Sequence, residues 1–120
     1  MEEKIRAYFA AWMKRDAGVL DEVFARDVVY VECYGPEYCG LDQMHRWFRK
    51  WNAKGKVLEW EITRTICQGN TVVAEWYFHY AFEGKEGKFD GVTVADFDNK
   101  GKIVKLCEYK SEHEHYFPFG

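Results

Sequence analysis

Glu32 is the residue of this 120-residue chain whose type and position are best suited to chemistry. It lies inside a predicted strand, 28–34, and shares one face with Val28, Tyr30 and Tyr34, because side chains alternate along a strand. A carboxylate on an apolar face is costly unless it is paired or close to water, and desolvation raises its pKa. We therefore predict that Glu32 is a pocket base. A solvent-facing glutamate, or a structural hydrogen bond to a ring hydroxyl, is the open alternative.

Glu108 is a second carboxylate that could face the interior. It shares a predicted strand face with Val104 and Leu106. Close to Glu32, the two like charges would push one pKa upward and supply an acid and a base. A salt bridge to Lys110, or an outward bend near the strand end, explains the same residue equally well.

Other chemistry has weaker support in the sequence. His113 and His115 would share a strand face, but two imidazoles without a third ligand do not define a metal site. Cys33 has no histidine placed beside it by local spacing, which argues against a nucleophilic thiol. Because no third metal ligand and no Gly-rich phosphate loop are present, we predict neither a metal nor any other cofactor.

Composition excludes several classes of partner. The formal charge is −3, whereas nucleic-acid-binding domains are basic, so we predict no nucleic-acid partner. No apolar run approaches the roughly 18 residues of a membrane helix, so we predict no membrane partner. The four cysteines are widely spaced and the charged amino terminus lacks a signal-peptide core. These features predict a cytoplasmic protein with reduced thiols.

Aromatic residues make up 18% of the chain, which is more than a small core needs. Either rings line an interior cavity, or an apolar outer face is covered by a partner. The rings that we expect around a pocket are Trp12, Tyr30, Trp47, Trp51, Trp76, Phe78 and Tyr80. The apolar tail 116–119 is expected to fold over the pocket mouth or onto a partner.

Hydrophobic periodicity and turn residues predict an α+β fold of one domain, 1–120. Helices are predicted at 2–15, in a short segment that includes Leu20 and Val23, and at 42–53. Strands are predicted at 28–34, 56–68, 71–82, 89–97 and 103–111. Short turns force successive strands to lie antiparallel, so the order α-α-β-α-β-β-β-β predicts helices on one face of a curved antiparallel sheet.

The strand 71–82 has one wholly apolar face and one mixed face. The mixed face carries Val73, Glu75, Tyr77 and His79, a composition suited to a sheet-to-sheet contact, so we predict a homodimer through this outer face. On the strand 89–97, Thr93 lies between the small residues Gly91 and Ala95. The space that these leave suits either a ligand or facing aromatic rings.

Three segments resemble the nuclear transport factor 2-like superfamily, especially its SnoaL-like and ketosteroid-isomerase-like branches. They are AYFAAW at 7–12, LDEVFARD at 20–27 and FDNKGKI at 97–103. The resemblance covers nearly the whole chain. It implies a cone-shaped fold, in which a curved sheet wraps around the first helix and a pocket opens at the wide end.

The resemblance also implies roles for individual residues. The general-base carboxylate of the steroid isomerases falls on Glu32, their oxyanion-binding tyrosine on Tyr8, and their second oxyanion group on Thr93. Here Glu replaces Asp at the base position, and a hydroxyl replaces a carboxylic acid at Thr93. The implied activity is cofactor-free proton transfer, such as isomerisation or dehydration, on a small apolar carbonyl-bearing ligand. A non-catalytic ligand-binding or dimeric interaction module is the alternative.

Overall fold

The computed structural model describes residues 1–120 and places three helices against one six-stranded sheet. The helices are α1 (Glu2–Lys14), α2 (Gly18–Val23) and α3 (Leu41–Asn52). The strands are β1 (Phe24–Val31), β2 (Glu37–Cys39), β3 (Gly55–Gln68), β4 (Thr71–Phe82), β5 (Lys85–Phe97) and β6 (Ile103–Ser111). The predicted α+β class and the three helices are confirmed, and β2 is an additional short strand.

The sheet is mixed, with the strand order β2-β1-β6-β5-β4-β3. From β3 to β6 the strands form an antiparallel meander, as the tight turns predict. The expectation of a wholly antiparallel sheet is wrong at one place, because β1 runs parallel to β6. These two strands are distant in the chain, with α3 and four strands between them, so no turn residue reports their relative direction.

β1 ends earlier than the sequence predicts, and this fixes the position of Glu32. The strand stops at Val31, and the backbone turns back through Gly35, whose φ of 111° favours glycine. The Gly35 amide donates to the Glu32 carbonyl at 3.1 Å, and the Glu32 amide donates to the Pro36 carbonyl at 2.9 Å. Glu32 therefore lies in the first position after the strand, still in phase with the buried Tyr30.

The core lies between α1 and the concave face of the sheet. An apolar stripe of α1 is buried and includes Ile5, Phe9 and Trp12. The ring of Phe9 stacks on that of Trp60 with a centroid separation of 3.7 Å. Burying a side chain of this size contributes roughly 1.5–3 kcal/mol, so α1 is held mainly by its apolar stripe rather than by helix propensity.

The C-terminal segment lies against the outer, convex face of the sheet. His113 Nδ1 is 2.8 Å from Asp90 Oδ1, and its ring is 4.6 Å from that of Tyr77. Tyr116 and Phe119 beyond it are 83% and 100% exposed, so the tail does not cover the pocket of its own chain. None of the three helices has the length and apolar character that a membrane-spanning helix requires.

Candidate functional site

A small cavity lies between α1, α3 and the concave face of the sheet. Its volume is about 40 Å³, enough for about three water molecules at roughly 10–15 Å³ each. Ten of its twelve lining residues are hydrophobic. The lining residues are Trp12, Glu32, Cys33, Tyr34, Trp47, Trp51, Val57, Trp60, Trp76, Phe78, Phe89 and Glu108. The cavity is therefore an apolar space with two carboxyl groups in its wall.

The parallel pairing of β1 with β6 brings the two carboxyl groups together. Val31 pairs with Cys107, so the next residue of each segment, Glu32 and Glu108, lies at the same level of the sheet. Glu108 points inward with Leu106 because side chains alternate along β6. Sequence alternation left the direction of Glu108 open, and the structure places this side chain in the cavity wall.

Glu108 is the cavity-facing end of a hydrogen-bond chain. The Tyr8 hydroxyl donates to the Tyr30 hydroxyl at 2.7 Å, and the Tyr30 hydroxyl donates to Glu108 Oε2. Both tyrosines are fully buried, and burial together with the negative charge of Glu108 raises the pKa of each well above its usual value. The two phenols thus remain protonated and act as hydrogen-bond donors toward the carboxyl group.

The pKa of Glu108 is raised to about 8. Burial is the main cause, the nearby charge of Glu32 adds to it, and the hydrogen bond from Tyr30 opposes it. A carboxyl group with this pKa is mostly protonated at pH 7 and can donate a hydrogen bond. Glu108 therefore has the properties of a general acid, a role that the sequence assigned to no specific residue.

Glu32 has a different environment and a different protonation state. It is half-buried, and burial raises its pKa, while the hydrogen bond from Tyr38, 2.6 Å from the hydroxyl to Glu32 Oε1, opposes that rise. Because Glu32 keeps solvent access and this donor, it holds the negative charge when the pair carries a single proton. The site therefore contains one carboxylate and one carboxylic acid.

The other two residues expected to catalyse lie behind the cavity wall. Tyr8 is fully buried and reaches the site only through Tyr30. Thr93 is also fully buried, and its hydroxyl accepts a hydrogen bond of 2.8 Å from the Trp76 indole. Thr93 pairs with Glu108 across β5 and β6, yet its side chain fixes the Trp76 ring rather than facing the open space.

The expected pocket rings divide into two groups. Five of the seven line the cavity, namely Trp12, Trp47, Trp51, Trp76 and Phe78. Tyr30 lies behind the wall in the hydrogen-bond chain, and Tyr80 stacks on Phe78 at a centroid distance of 5.3 Å outside the lining set. Trp76 lies directly over Gly91, where any Cβ atom would overlap its ring.

Several site residues have no clear signal in the sequence. Tyr38 belongs to the short strand β2, which has too few residues for periodicity to reveal it. Trp60 faces inward with Val57 only because a β-bulge shifts the register between Val57 and Glu59, which breaks strict alternation. Cys33 also lines the cavity, and burial with the charge of Glu108 raises its thiol pKa to about 12.

The structure contains no group of three or more His, Cys, Asp or Glu side chains arranged to hold a metal ion. His113 is paired with Asp90 on the outer face, far from the cavity wall. The functional groups that the cavity itself offers are two carboxyls, one un-ionised thiol and a set of aromatic rings. Such groups can move protons and bind apolar or cationic surfaces.

Comparison with known families supports this picture of the fold. The model of the SnoaL-like domain family matches residues 5–106. The chain belongs to this family. No curated protein matches the chain. The SnoaL-like identity accounts for the cone-shaped, NTF2-like arrangement of the curved sheet around α1.

Solved structures share this fold. A hypothetical protein with a ketosteroid isomerase-like fold from Catenulispora acidiphila DSM 44928, in complex with trimethylamine, has a TM-score of 0.81 and 24% identity, over 91% of this chain and 85% of that one. A LEH-like epoxide hydrolase from M. tuberculosis has a TM-score of 0.81 and 19% identity, over 91% and 80%. An NTF2-like protein of unknown function from Burkholderia pseudomallei K96243 has a TM-score of 0.77 and 18% identity, over 92% and 89%.

Proposed function

We propose that this SnoaL-like protein binds a small, largely apolar, carbonyl-bearing molecule and moves a proton on it without a cofactor, as an isomerase or dehydratase. The observation that carries the proposal is that Glu32 and Glu108 lie at the same level of the sheet in the wall of one ring-lined cavity, with the pKa of the buried Glu108 raised to about 8. Two carboxyl groups whose surroundings separate their pKa values are suited to acid–base catalysis.

In this mechanism Glu32 is the base. Its carboxylate removes a proton from the carbon next to the substrate carbonyl, and the electron pair moves onto the carbonyl oxygen as an enolate forms. Glu108 stabilises that oxygen by donating a hydrogen bond or its proton. Return of the proton from Glu32 to a different carbon completes an isomerisation. Transfer of that proton to a β-hydroxyl group, which then leaves as water while the enolate re-forms the carbonyl, completes a dehydration.

Tyr8, Tyr30 and Thr93 act as positioning residues. Tyr30 orients the Glu108 carboxyl group, and Tyr8 orients Tyr30, because each hydroxyl donates to the next group in the chain. Thr93 holds the Trp76 ring against the ligand space. The direct oxyanion role that the family pattern assigned to Tyr8 thus passes to Glu108, the group that lines the cavity.

A homodimer through the outer sheet face also belongs to this proposal. That face exposes apolar side chains on several strands, with Ile66 51% and Tyr109 61% exposed. The mixed apolar and charged character of Val73, Glu75 and Tyr77 resembles that of a protein interface. Sedimentation of the purified chain as a monomer across the micromolar range would refute the dimer.

We further propose that the protein works in the cytoplasm, with its four cysteines free.

Hydrogen–deuterium exchange at carbon tests the proposed chemistry without a known product. Small ketones and aldehydes are incubated with the protein in D₂O, and loss of the α-proton signal is followed by NMR. We expect Glu32→Gln to slow the catalysed exchange by roughly 100-fold or more, the usual contribution of a general base. Glu59→Gln, which alters an exposed glutamate of β3, is the matched control.

Two outcomes would redirect the proposal. Exchange that Glu32→Gln leaves unchanged would remove Glu32 from the mechanism. Ligand binding without any exchange would favour the second candidate, a non-catalytic binding module, which the small cavity volume and the satisfied hydrogen bond between Tyr38 and Glu32 also fit. In that case Glu32 and Glu108 serve only to recognise the ligand.

A further inference from the structure

The cavity wall is predominantly aromatic. Eight of the twelve lining residues carry rings, which are Trp12, Tyr34, Trp47, Trp51, Trp60, Trp76, Phe78 and Phe89. The faces of such rings carry partial negative charge and attract a cation placed within about 6 Å, with Trp the strongest of the three ring types. An apolar ligand alone would be held equally well by aliphatic side chains, so the abundance of indoles favours a ligand with positive charge.

The two carboxyl groups in the wall have no cationic partner in the chain. Neither Glu32 nor Glu108 takes part in a salt bridge. The ion pairs of the chain lie elsewhere, mostly on the surface, where such pairs contribute little to stability. A buried carboxylate without a counter-charge is costly. A ligand that brings a positive charge into the cavity would remove that cost, whereas an anionic ligand would increase it.

Lys110 shows how an ammonium group interacts with this wall. Its Nζ atom lies 4.6 Å from the ring centroid of Tyr34 and 5.5 Å from that of Phe89, two of the lining rings. Lys110 is exposed and follows Glu108 by two residues on β6, so it lies toward the rim of the cavity. The interior itself contains no basic side chain.

We infer that the cavity binds a small alkylammonium group, with the aromatic rings packed around its methyl or methylene groups and Glu32 and Glu108 supplying the counter-charge. This inference rests on the proposed function for its site only, because a bound cation favours the ionised form of Glu108 whereas the proposed proton transfer uses the protonated form. The cavity volume of about 40 Å³ limits the buried part to a compact headgroup, with any longer portion leaving past Tyr34.

The inference predicts that binding is coupled to proton release. The groups that face Glu108 are Tyr30 from β1, Tyr8 from α1, Glu32 and Cys33 from the turn after β1, and Thr93 from β5, and none of them is cationic. With a Glu108 pKa of about 8, the ionised form that favours the cation is about 1% populated at pH 6 and half populated at pH 8. Affinity should therefore increase up to roughly 50-fold between these pH values.

Choline and 3,3-dimethylbutan-1-ol provide a direct test, because they have nearly the same shape and differ in charge. Both are titrated into the wild-type protein at constant ionic strength, with the tryptophan fluorescence of the cavity wall as the readout. We expect choline to bind at least tenfold more tightly at pH 8, and this preference to shrink at pH 6. Glu108→Gln should reduce the preference, whereas the surface control Glu59→Gln should retain it.

The outcomes separate the two proposals. Equal affinity for the two compounds would overturn the inference about charge while leaving an apolar ligand and the α-proton exchange intact. Preference for the neutral alcohol, or no response to either compound, would also overturn it. A preference for choline in a protein that catalyses no exchange would support the inference and contradict the proposed chemistry.

Discussion

The replacement Glu108→Gln should change how stability depends on pH. A carboxyl group whose pKa is higher in the folded protein than in the unfolded chain keeps its proton in the folded state after the unfolded state has lost it. The folded state therefore binds more protons between about pH 4.5 and pH 8, and the free energy of unfolding decreases as the pH rises through this window.

The size of the effect follows from the two pKa values. A rise from 4.5 to about 8 corresponds to roughly 5 kcal/mol at most, at about 1.4 kcal/mol for each pKa unit. Water entry and local relaxation reduce such figures for buried groups. A decrease of 2–3 kcal/mol between pH 5 and pH 8 would still be a large part of the stability of a domain, which is about 5–15 kcal/mol.

Urea unfolding at a series of pH values measures this dependence. Gln cannot ionise, so Glu108→Gln should remove most of the wild-type decrease between pH 5 and pH 8 and make the variant relatively more stable at pH 8. Glu59→Gln should leave the decrease unchanged, because Glu59 is exposed. If Glu108→Gln shows the same pH dependence as the wild type, Glu108 is not the buried acid that we describe.

Two further replacements test the side chains behind the cavity wall. Thr93→Val should lower the free energy of unfolding by roughly 1–3 kcal/mol in thermal or urea melts, because it leaves the buried Trp76 Nε1 without an acceptor, whereas Thr93→Ser should not. Tyr30→Phe should raise the pKa of Glu108 by roughly one unit or more, since it removes a hydrogen bond to the charged form and leaves the Tyr8 hydroxyl without its acceptor. A Glu108 pKa in Tyr30→Phe that is equal to or lower than the wild-type pKa would show that the hydrogen-bond chain does not act on this carboxyl group.

The sequence alone correctly predicts the helices and strands whose hydrophobic periodicity is regular. The apolar stripe of α1 and the tight turns from β3 onward predict the helix, the meander and the fold class. Glu32 also stands out by its phase with Val28 and Tyr30. These signals are local, and each depends on residues fewer than a dozen positions apart.

The site required information that is not local. Glu108 joins the site only because β1 lies parallel to β6, a pairing across most of the chain that brings Glu32 and Tyr30 beside this carboxyl group. The position of Trp60 depends on a bulge, and that of Tyr38 on a three-residue strand. The family pattern placed Tyr8 near the reaction, whereas the intervening Tyr30 hydroxyl makes its contribution indirect.

The unequal protonation of the two cavity carboxyls is the central claim, and a ¹³C NMR titration of the glutamate side-chain carboxyl carbons tests it most directly. The wild-type protein should show one glutamate that titrates near pH 8 and is absent in Glu108→Gln, and a second, removed by Glu32→Gln, that titrates above the usual 4.5. A wild-type spectrum in which every glutamate titrates below about pH 5 would contradict the claim and leave the cavity without its acid.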